Sequence, residues 1–370
     1  LDNAQMTSDL ETDPVMQARM SIDQLAPSER SAEQMRARFL AFAETECHGY
    51  APFYEGLSEA VASDFKVLDI ARQCNPGQPI PNLFFAAVHY LLLEEISHPL
   101  AQQFSSIESE KSVAAEIFSE YKTFCTQRQD SLVEMLSFKR VQTNVVGRCS
   151  YLMPAFGIVS NHANGRLLGL IDVGASAGLN LNWDWYHYSY SNGREFGSSD
   201  ARVRLESEII GQQFPGLREH FPQVSSRVGI DMNPIDLSKP VDLLWSRALI
   251  WPEHPRRARV FEAAATVLAD NPPALFAGDA LDLLPGILET VRDDSAPCVF
   301  HCHTLNQFTP QARESFRDII EAASADRTVY LVSAESGTLV VSRCDSGVWS
   351  VIANANCDPH GRWVEWLEGV

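Results

Sequence analysis

The stretch LLGLIDVGASAGLNL, residues 167–181, limits the fold more than any other part of the chain. An apolar run through Leu167, Leu168, Leu170 and Ile171 reaches an acidic residue, Asp172, and then Gly174 and Gly178. This order predicts a buried strand, a tight glycine turn and a helix opening after it. The glycines allow backbone N–H groups to approach a ligand without interference from a Cβ. Doubly wound α/β sheets hold nucleotide-like cofactors in this way, at the carboxyl end of the first strand.

Periodicity divides the remainder. Residues 1–20 read as a flexible tail. From 21 to 143 the pattern is helical and nearly free of strands. Ser31 and Gln34 form a capping box for a helix reaching His48-Gly49, and further helices are expected over about 82–97 and 112–137. A helix over 144–162 leads into the glycine turn. Beyond 166 strands alternate with helices, which implies a mostly parallel sheet. Four strands end near Asp172, Asp231, Asp279 and His303, and RTVYLVSAE supplies a fifth. The chain closes with an antiparallel hairpin turning at Ser346-Gly347. The expected domains are therefore 21–143, all-helical, and 144–370, α/β. A β-hairpin insertion at about 183–206 carries Tyr186, Tyr188 and Tyr190 in alternation before an Asn192-Gly193 turn. Tyr186 and Tyr188 either wall a substrate site or cover apolar surface.

A formal net charge of −19 argues against nucleic acid and anionic membranes as partners. Eight cysteines occur without a CxxC pair, which fits free thiols in a reducing compartment. With no signal-like segment and no apolar run of spanning length, a cytoplasmic protein is expected. Cys298, His301, Cys302 and His303 are crowded, but strand alternation sets the two cysteines opposite the two histidines. No metal site is expected.

Asp172, Asp231 and Asp279 follow apolar strands and should meet at one crevice. Asp231 is placed to accept from a ribose diol, Asp279 from an exocyclic amine, and Asp172 to hold a ligand ammonium through the turn or a water. Gly174, Ala175, Ser176, Gly178 and Asn180 form the turn, while Met232 and Ala280 adjoin the later aspartates. After the fourth strand, His301 is a candidate general base, with His303 beside it and Asn306 toward an acceptor. GASAG also matches G-x-S-x-G with Ser176 as nucleophile. That serine-hydrolase alternative lacks an HGGG-type oxyanion sequence, and helical residues stand where its early strands belong. A further alternative is a non-catalytic cofactor-binding or interaction protein on the same scaffold.

This order of glycine turn, strand-end acids and closing hairpin resembles the class I S-adenosylmethionine-dependent methyltransferases over roughly 145–370. The resemblance implies a Rossmann-like sheet in the order 3-2-1-4-5-7-6, S-adenosylmethionine as cofactor and a small-molecule acceptor. It also implies that the segment before the first strand lines the methionine end of the cofactor. Arg148 would then pair with that carboxylate, with Gln142 and Asn144 nearby; the alternative is a structural arginine tying the two halves together. No Asn/Asp-Pro-Pro-Tyr/Phe sequence is present, which disfavours methylation of nucleic-acid bases. VQTNVVGR (141–148), GASAGLNLNWDWYHY (174–188), GIDMNP (229–234) and WPEH (251–254) together resemble a bacterial family, the domain of unknown function 2332, across most of the chain. Where that family usually carries an acidic residue, this chain has Val145. The expected partners are a small-molecule substrate and a second copy, as a homodimer through the helical domain.

Overall fold

The computed structural model describes residues 22–105, 111–217 and 221–367, and the expected tail lies outside them. The chain forms two compact units, Leu1–Thr143 with Leu244–Pro255, and Asn144–Leu243 with Arg256–Val370. Residues 244–255, expected within the α/β part, thus belong to the helical unit.

The helical unit contains α1 (Ala32–Phe42), α2 (Pro52–Ala62), α3 (Phe65–Ala71), α4 (Ile80–Glu94), α5 (Pro99–Ser105), α6 (Lys111–Gln127) and α7 (Gln129–Phe138). Ser31 Oγ accepts from the Gln34 amide at 3.2 Å and Gln34 Oε1 from the Ser31 amide at 2.8 Å, so the capping box starts α1. The helix expected over 112–137 is two helices. Arg128 breaks it with φ −103° and ψ 17°, while its guanidinium grips Glu95 at 2.7 and 2.6 Å. The core is aromatic, with Phe39 meeting Phe85 edge-on at 5.7 Å and Tyr54 stacked on Phe85 at 4.7 Å.

Segment 244–255 completes this unit. Trp245 is buried in the core and donates from Nε1 to Arg140 O at 2.9 Å. Ala51 offers α2 no side-chain cap. Glu253 supplies one, accepting the amides of Phe53 at 3.0 Å and Tyr54 at 3.1 Å, where a carboxylate also complements the helix dipole.

The second unit begins with α8 (Cys149–His162), which leads into β1 (Leu167–Val173). There follow β2 (His187–Tyr190), β3 (Glu195–Phe196), β4 (Arg204–Ile209) and β5 (Val224–Asp231). Helix α9 (Pro240–Ala248) starts here and ends within segment 244–255 of the helical unit; α10 (Pro255–Asp270) comes next, then β6 (Ala274–Ala277), α11 (Ala280–Thr290), β7 (Ser295–Cys302) and α12 (Pro310–Ala323). Strands β8 (Val329–Glu335), β9 (Thr338–Asp345), β10 (Val348–Cys357) and β11 (Trp363–Trp366) close the described chain.

All eleven strands join one mixed sheet, β3-β2-β4-β11-β10-β9-β8-β7-β1-β5-β6. Its centre, β6 to β8, is parallel throughout. Numbered as in the sequence reading, the observed order is 3-2-1-4-5-6-7, which corrects the expected 3-2-1-4-5-7-6. The cause is the two-residue turn Ser336-Gly337, with φ +48° and +83°, which returns β9 directly beside β8 and leaves no crossover to place the last strand between them. Ser346-Gly347 makes a second such turn, at φ +49° and +79°.

Alternation along the strands assigns two faces. Ile171, Val173, Ile230 and Val299 pack with Leu284, Leu288, Phe316 and Ile320 of α11 and α12. On the other face Phe300 meets Phe156 of α8, with ring centroids 5.2 Å apart. Asp172 and Cys302 share that second face.

The helix expected after the glycine turn is instead a 3₁₀ segment, Leu179–Trp185. Asn144 Oδ1 accepts the Leu179 amide at 2.8 Å, and the hydroxyls of Tyr186 and Tyr188 donate to the carbonyls of Leu179 and Trp183 at 2.7 and 2.6 Å. The two tyrosine hydroxyls thereby take carbonyls that an α-helix would pair internally, while Asn144 satisfies the first amide of the segment. Among the described residues no helix is long and apolar enough to cross a membrane.

Candidate functional site

The carboxyl ends of β1, β5, β6, β7 and β8 carry the candidate residues. At the end of β1, Gly174, Ser176 and Gly178 take φ of +84°, +54° and +82°. The amides of Gly174 and Ala175 donate to Ile230 O at 2.8 and 3.2 Å, so the turn leans on β5. A Cβ at Gly174 would stand 2.1 Å from Thr304 Oγ1, and one at Gly178 would stand 2.8 Å from Pro273 Cγ. Both glycines therefore make room for neighbouring protein, where the sequence suggested a ligand. Ser176 is 4% exposed, and among the described residues its Oγ forms no hydrogen bond to a histidine.

Asp231 ties the turn to the next loop. Its Oδ2 accepts from the Ser176 amide and its Oδ1 from the Asn233 amide, each at 2.8 Å, while its carbonyl accepts from Gly278 at 3.0 Å. Beside it Met232 is 72% exposed, and Phe276 on the edge strand β6 is 45% exposed. Asp279 serves as N-cap of α11, taking the Leu281 amide at 2.8 Å, and Ala280 is the first residue of that helix. Asp172 is buried. Burial first, and then the charge of Asp231, push its carboxyl well above the usual range, against the pull of Arg148.

Arg148 lies just before α8 and is nearly buried. Its Nε donates to Pro359 O at 3.0 Å and its Nη1 to Cys302 O at 3.4 Å. Asn180, also buried, accepts the Cys149 thiol at 3.4 Å.

At the end of β7 the two histidines differ. His301 is 1% exposed and packs edge-on against Phe316, with Nδ1 2.7 Å from Glu335 Oε1. The same oxygen accepts the amides of Thr304 and Leu305 at 2.9 and 3.0 Å, and Oε2 that of Asn306 at 3.4 Å. Burial raises the Glu335 carboxyl, but the His301 contact and these amides outweigh it and hold it below its ordinary value. His303 is only half-buried, with φ +56°. Burial, followed by the charge of Arg148, lowers its imidazole to about 4. The Asn306 side chain is exposed.

Tyr186 and Tyr188 are fully buried, and with their hydroxyls on main-chain carbonyls they present no surface to a substrate. Their place is inside the fold of the insertion. The eight cysteines are buried and free, and among the described residues no three His, Cys, Asp or Glu side chains group as metal ligands. A cavity of about 260 Å³ lies between α8 and the β3 region, lined by Met153, Ser160, Phe196 and Phe221 among others.

Sequence reasoning passed over Glu335 and Thr304. Glu335 ends the fifth strand as Asp172, Asp231 and Asp279 end or follow theirs, so the same rule applied once more would have found it.

These features define an α/β protein with a mostly parallel, mixed sheet whose strands β1, β5 and β8 carry acidic residues at or near their carboxyl ends. The chain belongs to the family described as uncharacterized protein conserved in bacteria (DUF2332), whose model matches residues 36–366. No curated protein and no solved structure matches it significantly.

Proposed function

We propose that the chain binds S-adenosylmethionine at the carboxyl ends of β1, β5 and β6 and transfers its methyl group to a small molecule. The observation that carries this reading is Asp231. Its carboxylate stands at the end of the strand beside β1, in contact with the Ser176 amide of the turn, and next to the exposed Met232. An acid at this position of an open parallel sheet suits a ribose diol. Met232 and Phe276 offer an open apolar platform for a flat base.

The fit is partial at the turn. Thr304 fills the space over Gly174, so the ligand would lie toward β5 and β6, away from that glycine. When bound, the cofactor supplies an electrophilic methyl group on a sulfonium.

The chain's own contribution is chiefly orientation. His301 is enclosed and tied to Glu335, which argues for a structural role for that ring. His303 is the better-exposed ring; lowered to about 4, it is neutral at pH 7 and a weak base. These two states favour, as second reading, a cofactor-binding protein without turnover.

Isothermal titration with S-adenosylmethionine and S-adenosylhomocysteine, on wild type and Asp231→Asn, tests the proposal. Micromolar binding that weakens at least tenfold in the variant supports it. No binding of either ligand to protein freed of copurified nucleoside would end it.

A further inference from the structure

The cavity of about 260 Å³ beside α8 is separate from the carboxyl ends of the strands. Among the described residues its walls are the middle and end of α8, Glu195 and Phe196 of β3, and the chain around Leu217 and Phe221 ahead of β5. Ser160 lies about 16 Å along α8 from its first residue, Cys149. The cavity thus sits toward the amino ends of β1 and β5, and what it binds does not depend on the function proposed above.

Protein interiors keep few voids larger than a water molecule. Loose packing does not explain this one, because its walls are pinned. A Cβ at Gly157 would stand 2.6 Å from Leu217 Cδ2, so Leu217 seats directly against the helix backbone. Asn161 Nδ2 donates to Gly216 O at 2.7 Å and ties the same stretch to α8. Phe221 meets Trp183 and Tyr188 edge-on at 5.7 and 6.3 Å, and Phe196 stacks on Phe214 at 5.9 Å. The volume is several times the ~30 Å³ share of one water and just under the ~300 Å³ where small-molecule pockets begin. It suits one small organic molecule in a preformed site.

Two polar groups on the lining set its chemistry. Ser160 is 5% exposed, and among the described residues its hydroxyl forms no hydrogen bond. A buried hydroxyl is almost always bonded, so this one calls for a partner inside the cavity. Glu195 has a side chain 70% exposed and brings a carboxylate to the mouth. His187 Nε2 stands 4.0 Å from its Oε2, too far for a hydrogen bond, and among the described residues no Lys or Arg pairs with it. The remaining wall is apolar, with Met153, Phe196, Leu217 and Phe221. A net charge of −19 draws small cations toward such a mouth.

We infer that this cavity binds a small aromatic amine, its ammonium on Glu195, its ring against Phe196 and Phe221, and a polar substituent on Ser160. Aromatic contacts of this kind and a charged hydrogen bond at the rim give such a ligand both its fit and its sign.

The test uses the full chain, labelled with 13Cε-methionine, as wild type, Glu195→Gln and Ser160→Ala. Met153, 1% exposed and on the wall, is the reporter, its signal assigned with Met153→Leu. Tyramine is titrated beside 2-phenylethylamine, which lacks the ring hydroxyl, and tyrosol, which replaces the ammonium by a neutral hydroxyl. Tyramine should shift the Met153 signal to saturation and bind about 3- to 10-fold tighter than tyrosol. It should also bind about fivefold tighter than 2-phenylethylamine. Glu195→Gln should remove the first preference alone, and Ser160→Ala the second alone. A Met153 signal unmoved by all three compounds overturns the site. Equal binding of tyramine and tyrosol, or a preference that survives Glu195→Gln, overturns the ammonium assignment. A preference over 2-phenylethylamine that survives Ser160→Ala overturns the role of that hydroxyl. Both variants should keep the wild-type Tm; a clear fall in Ser160→Ala would assign the hydroxyl a structural bond and overturn its role as well.

Discussion

Glu335 Oε1 stands 2.7 Å from His301 Nδ1 and takes the amides of Thr304 and Leu305 on the same atom. One carboxylate thereby fixes the end of β7 and the loop that covers Gly174. Glu335→Ala should leave these donors unbonded in a mostly buried place and lower stability by about 3 kcal/mol. The 303–307 amides should also exchange faster with deuterium. Glu335→Gln, which keeps an acceptor, should lose less. Equal protection in all three proteins would refute the anchor.

The same residue sets a pH dependence. Its folded-state value lies below the ordinary 4.5, so its contribution is complete above about pH 4.5 and is lost as pH falls through the lower, folded value. Acid unfolding of Glu335→Gln should therefore show a shallower loss of stability below pH 4.5 than wild type.

Asp172 has the opposite sign. Its carboxyl is raised well above its ordinary 3.8, by burial first and then by the charge of Asp231, so ionising it costs stability in the folded chain. The penalty begins above pH 3.8 and grows until the pH passes the folded value. Asp172→Asn should therefore gain stability relative to wild type as pH rises from 3.8, read as the difference in urea midpoint. A difference that stays constant from about pH 3 upward would contradict the assignment.

At Gly174 two costs add. The left-handed φ of +84° disfavours a side chain, and its Cβ would meet Thr304 Oγ1 at 2.1 Å. Gly174→Ala should cost about 2–4 kcal/mol. In Gly174→Ala/Thr304→Ala the steric part is relieved and the strain remains, so a double-mutant cycle should return a coupling of about 1 kcal/mol or more.

Glu253 caps α2 from some two hundred residues downstream. Glu253→Ala should destabilise the helical unit by about 1–3 kcal/mol and Glu253→Gln by less, since its single carboxamide oxygen still accepts one of the two amides. Urea unfolding followed by tryptophan fluorescence, to which Trp245 and Trp251 contribute, would report it.

What the sequence disclosed follows from locality. The capping box of Ser31 and Gln34 spans four residues, and the parallel strands announce themselves as apolar runs closed by an acid or a turn. The 3₁₀ segment after the glycine turn was not legible, because Tyr186, Tyr188 and Asn144 take its backbone groups from outside the segment. The order of the last strands hung on Ser336-Gly337, a two-residue turn too short to carry a compositional signal. The acids of the candidate site were legible as a rule about strand ends. Their division of labour was not: Asp279 caps a helix, Asp231 bridges loops and Asp172 is enclosed, and each role depends on partners distant in sequence.

The helical unit takes its last segment from residues 244–255. On a ribosome, which releases the chain from its amino end, that unit cannot close when its first 143 residues have emerged. The tryptophans of its core and the carboxylate that starts α2 arrive only after β1 to β5 have been made. The part that is synthesised first is thus completed late, and a fragment cut after Thr143 would leave the ribosome with an open apolar face.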